Sequence, residues 1–171
     1  KSAVTLGAKL DSEKDRQVID SAINDIRLHG SKARMIVFVS PKPNQARDKA
    51  AQFANALAEE GKKVLFIDNN ASVLKEGNTI ETVNDKIYYL NNSYLADDPA
   101  GKLEELKKQY DMIICCSDQL LKDDCSKACA ARADSVITLI REDRETTAAV
   151  RAIKEELEYI GANSDGYILV R

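Results

Sequence analysis

Glycine is scarce in this chain. Seven occur in 171 residues, at positions 7, 30, 61, 77, 101, 161 and 166, and none lies between Ser31 and Glu60. That gap excludes a glycine-rich phosphate cradle in that stretch, because consecutive backbone N–H groups wrap a phosphate only where the chain can turn tightly. No apolar run reaches the 18 or so residues that a bilayer span needs. No cluster of Lys and Arg is interleaved with aromatics, which excludes a dedicated nucleic-acid surface. His29 is the sole histidine, so no Ser/His/Asp or Cys/His constellation can be assembled; beside a helix stop, it suits the last carbonyls and the helix dipole. No signal peptide is evident, and a start at Lys1 rather than Met suggests a piece of a longer protein.

What is present suits one folded domain. Lys plus Arg total 25 and Asp plus Glu 28, for a net charge of −3 and a pI near 5.3. The apolar set makes up 44% and charged residues 31%, enough for a core and too balanced for a disordered tail. The four cysteines, Cys115, Cys116, Cys125 and Cys129, are crowded together rather than spread as a disulfide framework, which points to a reducing cytoplasm. Cys125 and Cys129 are spaced to share one helix face, whereas Cys115 and Cys116 are adjacent on a strand and point to opposite faces. The four do not converge on one tetrahedral ion, so no metal site is expected and the thiols read as small buried hydrophobes. Cys116, at a strand end, is the one to test for reactivity.

Periodicity sets the order of elements. Ser12 to about His29 reads as a helix, with Val18, Ile19, Ala22, Ile23 and Ile26 at helical spacing and Gly30 as its stop. Arg34 to Ser40 is a short apolar run, expected as a buried strand. Ala46 to Glu60 is helical, with Ala50, Phe53, Ala54, Leu57 and Ala58 on one face and Gly61 as its cap. Val64 to Asp68 is a second buried strand and Lys86 to Leu90 a further one. Ala100 to Gln109 forms a charged helix behind Pro99, which suits a first turn. Asp111 to Cys116 is a strand, followed by a helix ending near Ala131, and Ser135 to Ile140 is another strand. Arg144 to Ile160 is amphipathic, with Val150, Ile153, Leu157 and Ile160 on one side; Gly161 ends it, and Gly166 to Val170 is the last strand. No repeat, low-complexity segment or dividing linker is present. The six tyrosines are scattered at packing positions, and the helix faces around Glu104–Lys108 and Lys154–Glu158 mix both signs as ordinary solvated surface.

Apolar strands alternating with helices predict an α/β fold, a mainly parallel sheet with helices on both faces. Residues 1–30 form a lead-in and a helix packed on the domain of residues 31–171. Ligands of such sheets bind beyond the carboxyl ends of the strands, here after Ser40, Asp68, Cys116 and Ile140.

The order of segments resembles the cytoplasmic domain of the bacterial tyrosine kinases of capsule and exopolysaccharide synthesis, within the MinD/ParA-like P-loop ATPases. AAQFANALAEEGKKVLFID (Ala50–Asp68) is similar to the family's helix after the phosphate loop plus its second strand. LEELKKQYDMII (Leu103–Ile114) resembles the helix and strand leading to its Walker B carboxylate. ADSVITLIREDRETTAAVRAIKEELEYIGANSDGYILV (Ala133–Val170) resembles its closing strand–helix–strand, and VTLGAKLD (Val4–Asp11) the lead-in that follows its transmembrane segment. The resemblance implies a three-layer, P-loop-NTPase-like fold spanning nearly the whole chain.

At the turns the chain departs from that family. The phosphate-loop stretch is SPKPNQARDKA (Ser40–Ala50), without glycine and with two prolines that each remove an N–H donor. Counting back from Gly61 puts the family's Lys position on Ala46 and its Ser/Thr positions on Arg47 and Asp48; a shift of one puts Arg47 in the Lys slot and Asp48 in the Ser slot. Neither register contains a Gly-Lys-Ser/Thr triplet, and Asp48 would repel a triphosphate. Of the two Asp after the second strand, Asp68 is kept and the other is Asn70. The Walker B Asp falls on Cys116, a poor ligand for a hard cation, and the Thr-Pro-Pro that follows it on Ser117-Asp118-Gln119. The Glu-x-x-Arg-x-x-Arg signature falls on Gln17, Asp20 and Ile23; the C-terminal tyrosine cluster is missing before Arg171, and the stretch from Asn69 to Asn84 is short.

These departures lead to the expectation of a catalytically inactive relative, a pseudo-kinase or pseudo-ATPase with no catalytic residues and no cofactor. Ser40, Ala46, Arg47, Asp48, Asp68, Asn70 and Cys116 are then vestigial positions of a nucleotide site. Asp68 reads as a relic that hydrogen-bonds locally, the other reading being a surviving metal contact. The expected partners are proteins: a membrane chain-length or co-polymerase protein, a related kinase, or further copies of the chain. The chain is then the cytoplasmic part of a membrane-anchored protein. Two alternatives stay open: a tyrosine autokinase using ATP and Mg²⁺ through a diverged loop, in which Lys42, Arg47 and Lys49 hold phosphate, and a MinD/ParA-like scaffold.

Overall fold

The computed structural model describes residues 34–41, 45–68, 81–82, 86–117, 120–141 and 147–170, with the single helical positions Gln17, Ser21 and Asn24. The remainder of the expected Ser12–His29 helix, with His29 itself, lies outside the described residues. The described elements are β1 (Met35–Val39), α1 (Gln45–Glu59), β2 (Val64–Asp68), β3 (Glu81–Thr82), β4 (Ile87–Asn91), α2 (Pro99–Gln109), β5 (Met112–Ser117), α3 (Asp124–Arg132), β6 (Ser135–Arg141), α4 (Thr147–Tyr159) and β7 (Ser164–Val170). They form one sheet in the order β3-β4-β2-β5-β1-β6-β7. All neighbours run parallel except β3, which pairs antiparallel with β4 at the edge. The sequence reading contains no strand at β3; two residues carry too little periodicity to announce one. It also stops β4 one residue early, at Leu90, and β5 at Cys116 rather than Ser117.

Strand alternation divides the core into two layers. Ile36, Phe38, Val64, Phe66, Ile87, Tyr89, Ile114 and Cys116 face α1. Met35, Val37, Val39, Leu65, Ile67, Leu90, Ile113, Cys115 and Val136 face the opposite way, toward α2, α3 and α4, whose Leu103, Leu106, Cys129, Ala130, Ile153 and Leu157 complete that layer. All five residues of β1 and of β2 are buried, as expected of central parallel strands covered on both sides.

Helix α1 turns small residues inward: Ala46, Ala50, Ala51 and Ala54 are buried with Phe53 and Leu57. The alanines let the helix axis approach the sheet closely, and Phe53 fills the space against Phe38, their ring centroids 5.4 Å apart. Gly61 ends the helix at φ 88°, with Gly61 N–H donating to the Ala58 carbonyl and Lys62 N–H to that of Leu57. Gly161 ends α4 in the same way at φ 71°, through bonds from Gly161 to Glu158 and from Ala162 to Leu157. Both are Schellman caps, which need a left-handed residue at this point. Helix α2 starts on Pro99 behind Asp98, whose carboxylate accepts from the Gly101 N–H at 3.1 Å.

Carboxylates tie the elements together at both ends of the sheet. Asp134 Oδ2 accepts from the N–H groups of Arg34 and Met35, both at 2.9 Å, and so seats β1 beside β6. Asp123 caps α3 by accepting from the Cys125 N–H; it also accepts from Ser126 Oγ at 2.6 Å and from Asn92 Nδ2 at 2.8 Å. Asn92 opens the 3₁₀ turn Asn92–Leu95 that follows β4. Among the described residues, no helix is long and apolar enough to cross a membrane.

Candidate functional site

Parallel register collects the site. Asp68 is the last residue of β2 and pairs with Asn91, the last of β4. On the other side Ile67 pairs with Cys115, which places Asp68 beside Cys116 of β5, and Cys116 pairs in turn with Phe38 of β1. Alternation then puts Asn91, Asp68 and Cys116 on the face covered by α1, at the carboxyl rim where open α/β sheets bind ligands. Helix α1 begins just beyond the end of β1, so its first turn stands over this rim.

Arg47, in that first turn, pairs with Asp68, its Nε 2.8 Å from Oδ2. The Asp68 side chain is 2% exposed and that of Arg47 24%, so the carboxylate is buried and the guanidinium lies across its outer side. The thiol of Cys116, fully buried, donates to Asp68 Oδ1 at 3.5 Å. Both carboxylate oxygens therefore face groups of the same chain. Tyr89 lies in the same layer, its ring stacked on Phe66 with centroids 6.3 Å apart. Burial, and then the negative charge of Asp68, push the Tyr89 phenol far above the ordinary tyrosine range, while Arg47 and Asn91 pull weakly the other way.

The remaining expected positions are distributed as follows. Ala46 is buried against the sheet and presents no side chain to the rim; Asp48 is exposed. Arg47, which falls on a Ser/Thr position in one alignment of this loop and on the Lys position in the other, is the residue whose side chain reaches Asp68. Ser40 is buried at the end of β1, its N–H donating to the Ser117 carbonyl at 3.3 Å. Lys49 donates to Gln52 Oε1 within α1 at 3.4 Å. Lys42, Asn70, Asp118, Gln119, Asp20 and Ile23 lie outside the described residues; Gln17 is helical and exposed.

The cysteines separate as alternation requires. Cys116 belongs to the α1 layer, and Cys115 lies with Cys129 in the opposite layer. The hydrogen bond with Cys129, followed by burial, pushes the Cys115 thiol well up. Cys125 is half-buried, and burial, then Asp123, push its thiol up as well. Fully buried Cys116 has no exposed sulfur to react, so its position at a strand end does not make it reactive. Among the described residues, no three of His, Cys, Asp and Glu gather to hold a metal ion.

Mg²⁺ with a nucleotide is the group the sequence resemblance implies, and the described residues of the rim, Asp68 and Cys116, do not by themselves fit it. Mg²⁺ wants several hard oxygen ligands in octahedral array. Here the buried carboxylate is already paired with a guanidinium, and the neighbouring strand end offers sulfur.

Sequence reasoning passed over two members of the site. Tyr89 and Asn91 lie on a strand that carries no motif, and only the register of β4 against β2 brings them beside Asp68. Alternation along KIYYLN, once β4 was placed next to β2, could have found them.

The Tyr89 phenol sets an alkaline limit. A folded-state value above the unfolded one means that the unfolded chain releases its proton first, from about pH 10 upward. The stability Tyr89 contributes is complete below that pH and falls as pH rises through and beyond it. Tyr89→Phe should reduce the slope of unfolding free energy against pH between about 10.5 and 12 by up to ~1.4 kcal/mol per pH unit. Denaturant titrations followed by circular dichroism read that slope; an unchanged slope would count against the assignment.

No protein-family model and no curated protein sequence matches this chain. Solved structures do. The kinase domain of the Escherichia coli tyrosine kinase ETK is similar over 90% of this chain and 74% of its own, with 15% identity and a TM-score of 0.73. The VpsO kinase domain is similar over 92% of this chain and 96% of its own, with 18% identity and a TM-score of 0.70. The MinD cell division protein of Aquifex aeolicus is similar over 81% of this chain and 68% of its own, at 17% identity and a TM-score of 0.59. Element order, strand order and these likenesses agree: the chain has the P-loop-NTPase-like α/β fold of bacterial tyrosine kinase domains and of MinD- and ParA-like proteins.

Proposed function

We propose that this domain works as a non-catalytic member of a bacterial tyrosine-kinase-like system, a pseudo-kinase that binds protein partners in extracellular polysaccharide assembly and chain-length control. The observation that carries the reading is the Arg47–Asp68 ion pair at 2.8 Å, with Cys116 on the other carboxylate oxygen. Phosphoryl transfer depends on positioning the phosphates and on metal-borne charge. The loop after β1 has no glycine and two prolines, so it lacks donors for the phosphates, and the rim carboxylate is neutralised from within. Likeness to kinase domains and the sequence resemblance to the exopolysaccharide kinases support the setting. They favour as partner the membrane co-polymerase protein or a related active kinase, with the domain held at the cytoplasmic side of the membrane.

Titration of the domain with ATP and MgCl₂, read by calorimetry and by thermal shift, tests this directly. No heat of binding and no rise in Tm at millimolar ATP are expected, and no phosphotyrosine should form on incubation with ATP. A micromolar Kd would overturn the reading in favour of an autokinase with a diverged loop.

A further inference from the structure

We propose that Cys115 of β5 and Cys129 of α3 form a thiol–disulfide clamp, with Cys125 as the thiol through which a small disulfide such as oxidised glutathione reaches them. These residues lie in the layer of the core opposite the Arg47–Asp68 pair, so nothing in the clamp depends on the function proposed above.

Three of the four thiols are aligned from the surface to the core. Cys125 lies in the first turn of α3 and is half-buried. Cys129 is one turn further along the same helix face and fully buried. Cys115, also fully buried, comes from β5 across the layer, and its side chain is hydrogen-bonded to that of Cys129. The two sulfurs are thus in hydrogen-bonding contact before any covalent bond joins them. Ala130 and Ala133 pack in the same cluster, and residues this small let α3 sit close to the sheet.

The surroundings do not favour thiolates. The hydrogen bond with Cys129, then burial, push Cys115 up, and burial, then Asp123, push Cys125 up. The reduced pair therefore gains no stability from ionisation, and its disulfide is not disfavoured as it is where the reduced form is held as a thiolate. Exchange is slow at neutral pH, because the thiolate is the attacking form.

Three displacements complete the exchange. The Cys125 thiolate attacks one sulfur of oxidised glutathione, and the first glutathione leaves. Cys129 Sγ, on losing its proton, attacks Cys125 Sγ, and the second glutathione leaves. The resulting bond is strained, since helix positions four apart hold their Cβ atoms ~5–6 Å apart and a relaxed disulfide needs about 3.8 Å. Cys115 Sγ then attacks Cys129 Sγ, and Cys125 is released as a thiol. Two protein thiols and one glutathione disulfide become one protein disulfide and two glutathione thiols. The two electrons and two hydrogens that the protein loses are the ones glutathione gains. The final bond ties α3 to β5 and closes a loop that contains the Asp123 cap.

The test incubates the native protein with millimolar oxidised glutathione at pH 8.5 in the absence of denaturant. The remaining thiols are then alkylated in denaturant, and the disulfide is located by mass spectrometry of non-reduced peptides. The expected product is lighter by two hydrogens, links Cys115 to Cys129, and carries the alkyl group on Cys116 and Cys125. Its Tm should rise by roughly 6–12 °C and return to the starting value with dithiothreitol. Cys125→Ser, which leaves both partners of the clamp in place, should form the same bond at least about tenfold more slowly. Absence of the Cys115–Cys129 bond overturns the clamp, as does an oxidised protein whose Tm is unchanged or lower. A bond that engages Cys116 reports exchange in the unfolded chain and also overturns it. Equal rates in Cys125→Ser and the native protein overturn the entry role of Cys125.

Discussion

Arg47→Met should destabilise the domain by about 3–5 kcal/mol, the cost of stranding one charge of a buried pair. Methionine keeps most of the apolar stem and removes the guanidinium, so the loss reports charge rather than volume. Asp68 would then be a carboxylate with 2% exposure that has lost its ion-pair partner. The informative comparison is the double substitution Arg47→Met with Asp68→Leu. Replacing both members of a buried pair by apolar groups of similar size is commonly neutral or even stabilising. The double variant should therefore recover most of the loss, so that the coupling energy in a double-mutant cycle is at least as large as the part recovered. Urea unfolding of the four proteins measures it. Additive losses would mean that Arg47 and Asp68 do not depend on each other, and the site as described would have to be abandoned.

A second large effect is expected at Cys116→Asp, which puts a carboxylate where the sequence resemblance would have the Walker B Asp fall. Position 116 is fully buried and adjoins Asp68. Two carboxylates would then share one guanidinium, and the new one would be held protonated by burial and by its neighbour. A carboxyl raised by about 3 pH units costs ~4 kcal/mol at neutral pH. The sign follows from linkage: the folded state holds a proton that the unfolded state releases above about pH 4. The loss is thus small at low pH and grows as pH rises to the folded-state value. Cys116→Ser, a neutral change of similar size, should cost far less and show no such growth. Unfolding free energies of both variants at pH 5 and pH 8 separate the two; equal losses at both pH values for Cys116→Asp would contradict the burial and proximity on which the site rests.

Different parts of the molecule were legible in the sequence to different degrees. The runs RMIVFVS, VLFID and SVITLI announce buried strands because a strand covered on both faces must be apolar throughout. Gly61 and Gly161 announce helix ends because the Schellman cap needs a left-handed residue. Opposite directions for Cys115 and Cys116 followed from the period of a strand alone. The Arg47–Asp68 pair did not follow. Its members are 21 positions apart, Arg47 on α1 and Asp68 at the end of β2, and only the strand order and the placement of α1 over the sheet bring them together. The sequence reading put Asp68 between a local hydrogen-bonding role and a metal, without weighing an ion pair with Arg47. Tyr89 and Asn91 were missed for the same reason, since cross-strand neighbours depend on register rather than on spacing. The Asn92–Asp123–Ser126 cluster was also invisible, being made of ordinary polar residues that a tertiary contact joins.

The alanines along the inner side of α1 act as a gauge. With Ala46, Ala50, Ala51 and Ala54 all buried against β1, β2 and β5, the distance from helix to sheet is set by methyl groups, the smallest spacers that a side chain can provide. Arg47 stands one position beyond the first of these spacers, so the height of its guanidinium above the rim is an offset measured from them. The electrostatics of the rim are in this sense calibrated from the hydrocarbon interior. A single methylene added at any of these four positions would lift the helix like a shim, and the charge pair, which touches none of the added atoms, would be the first thing pulled out of alignment.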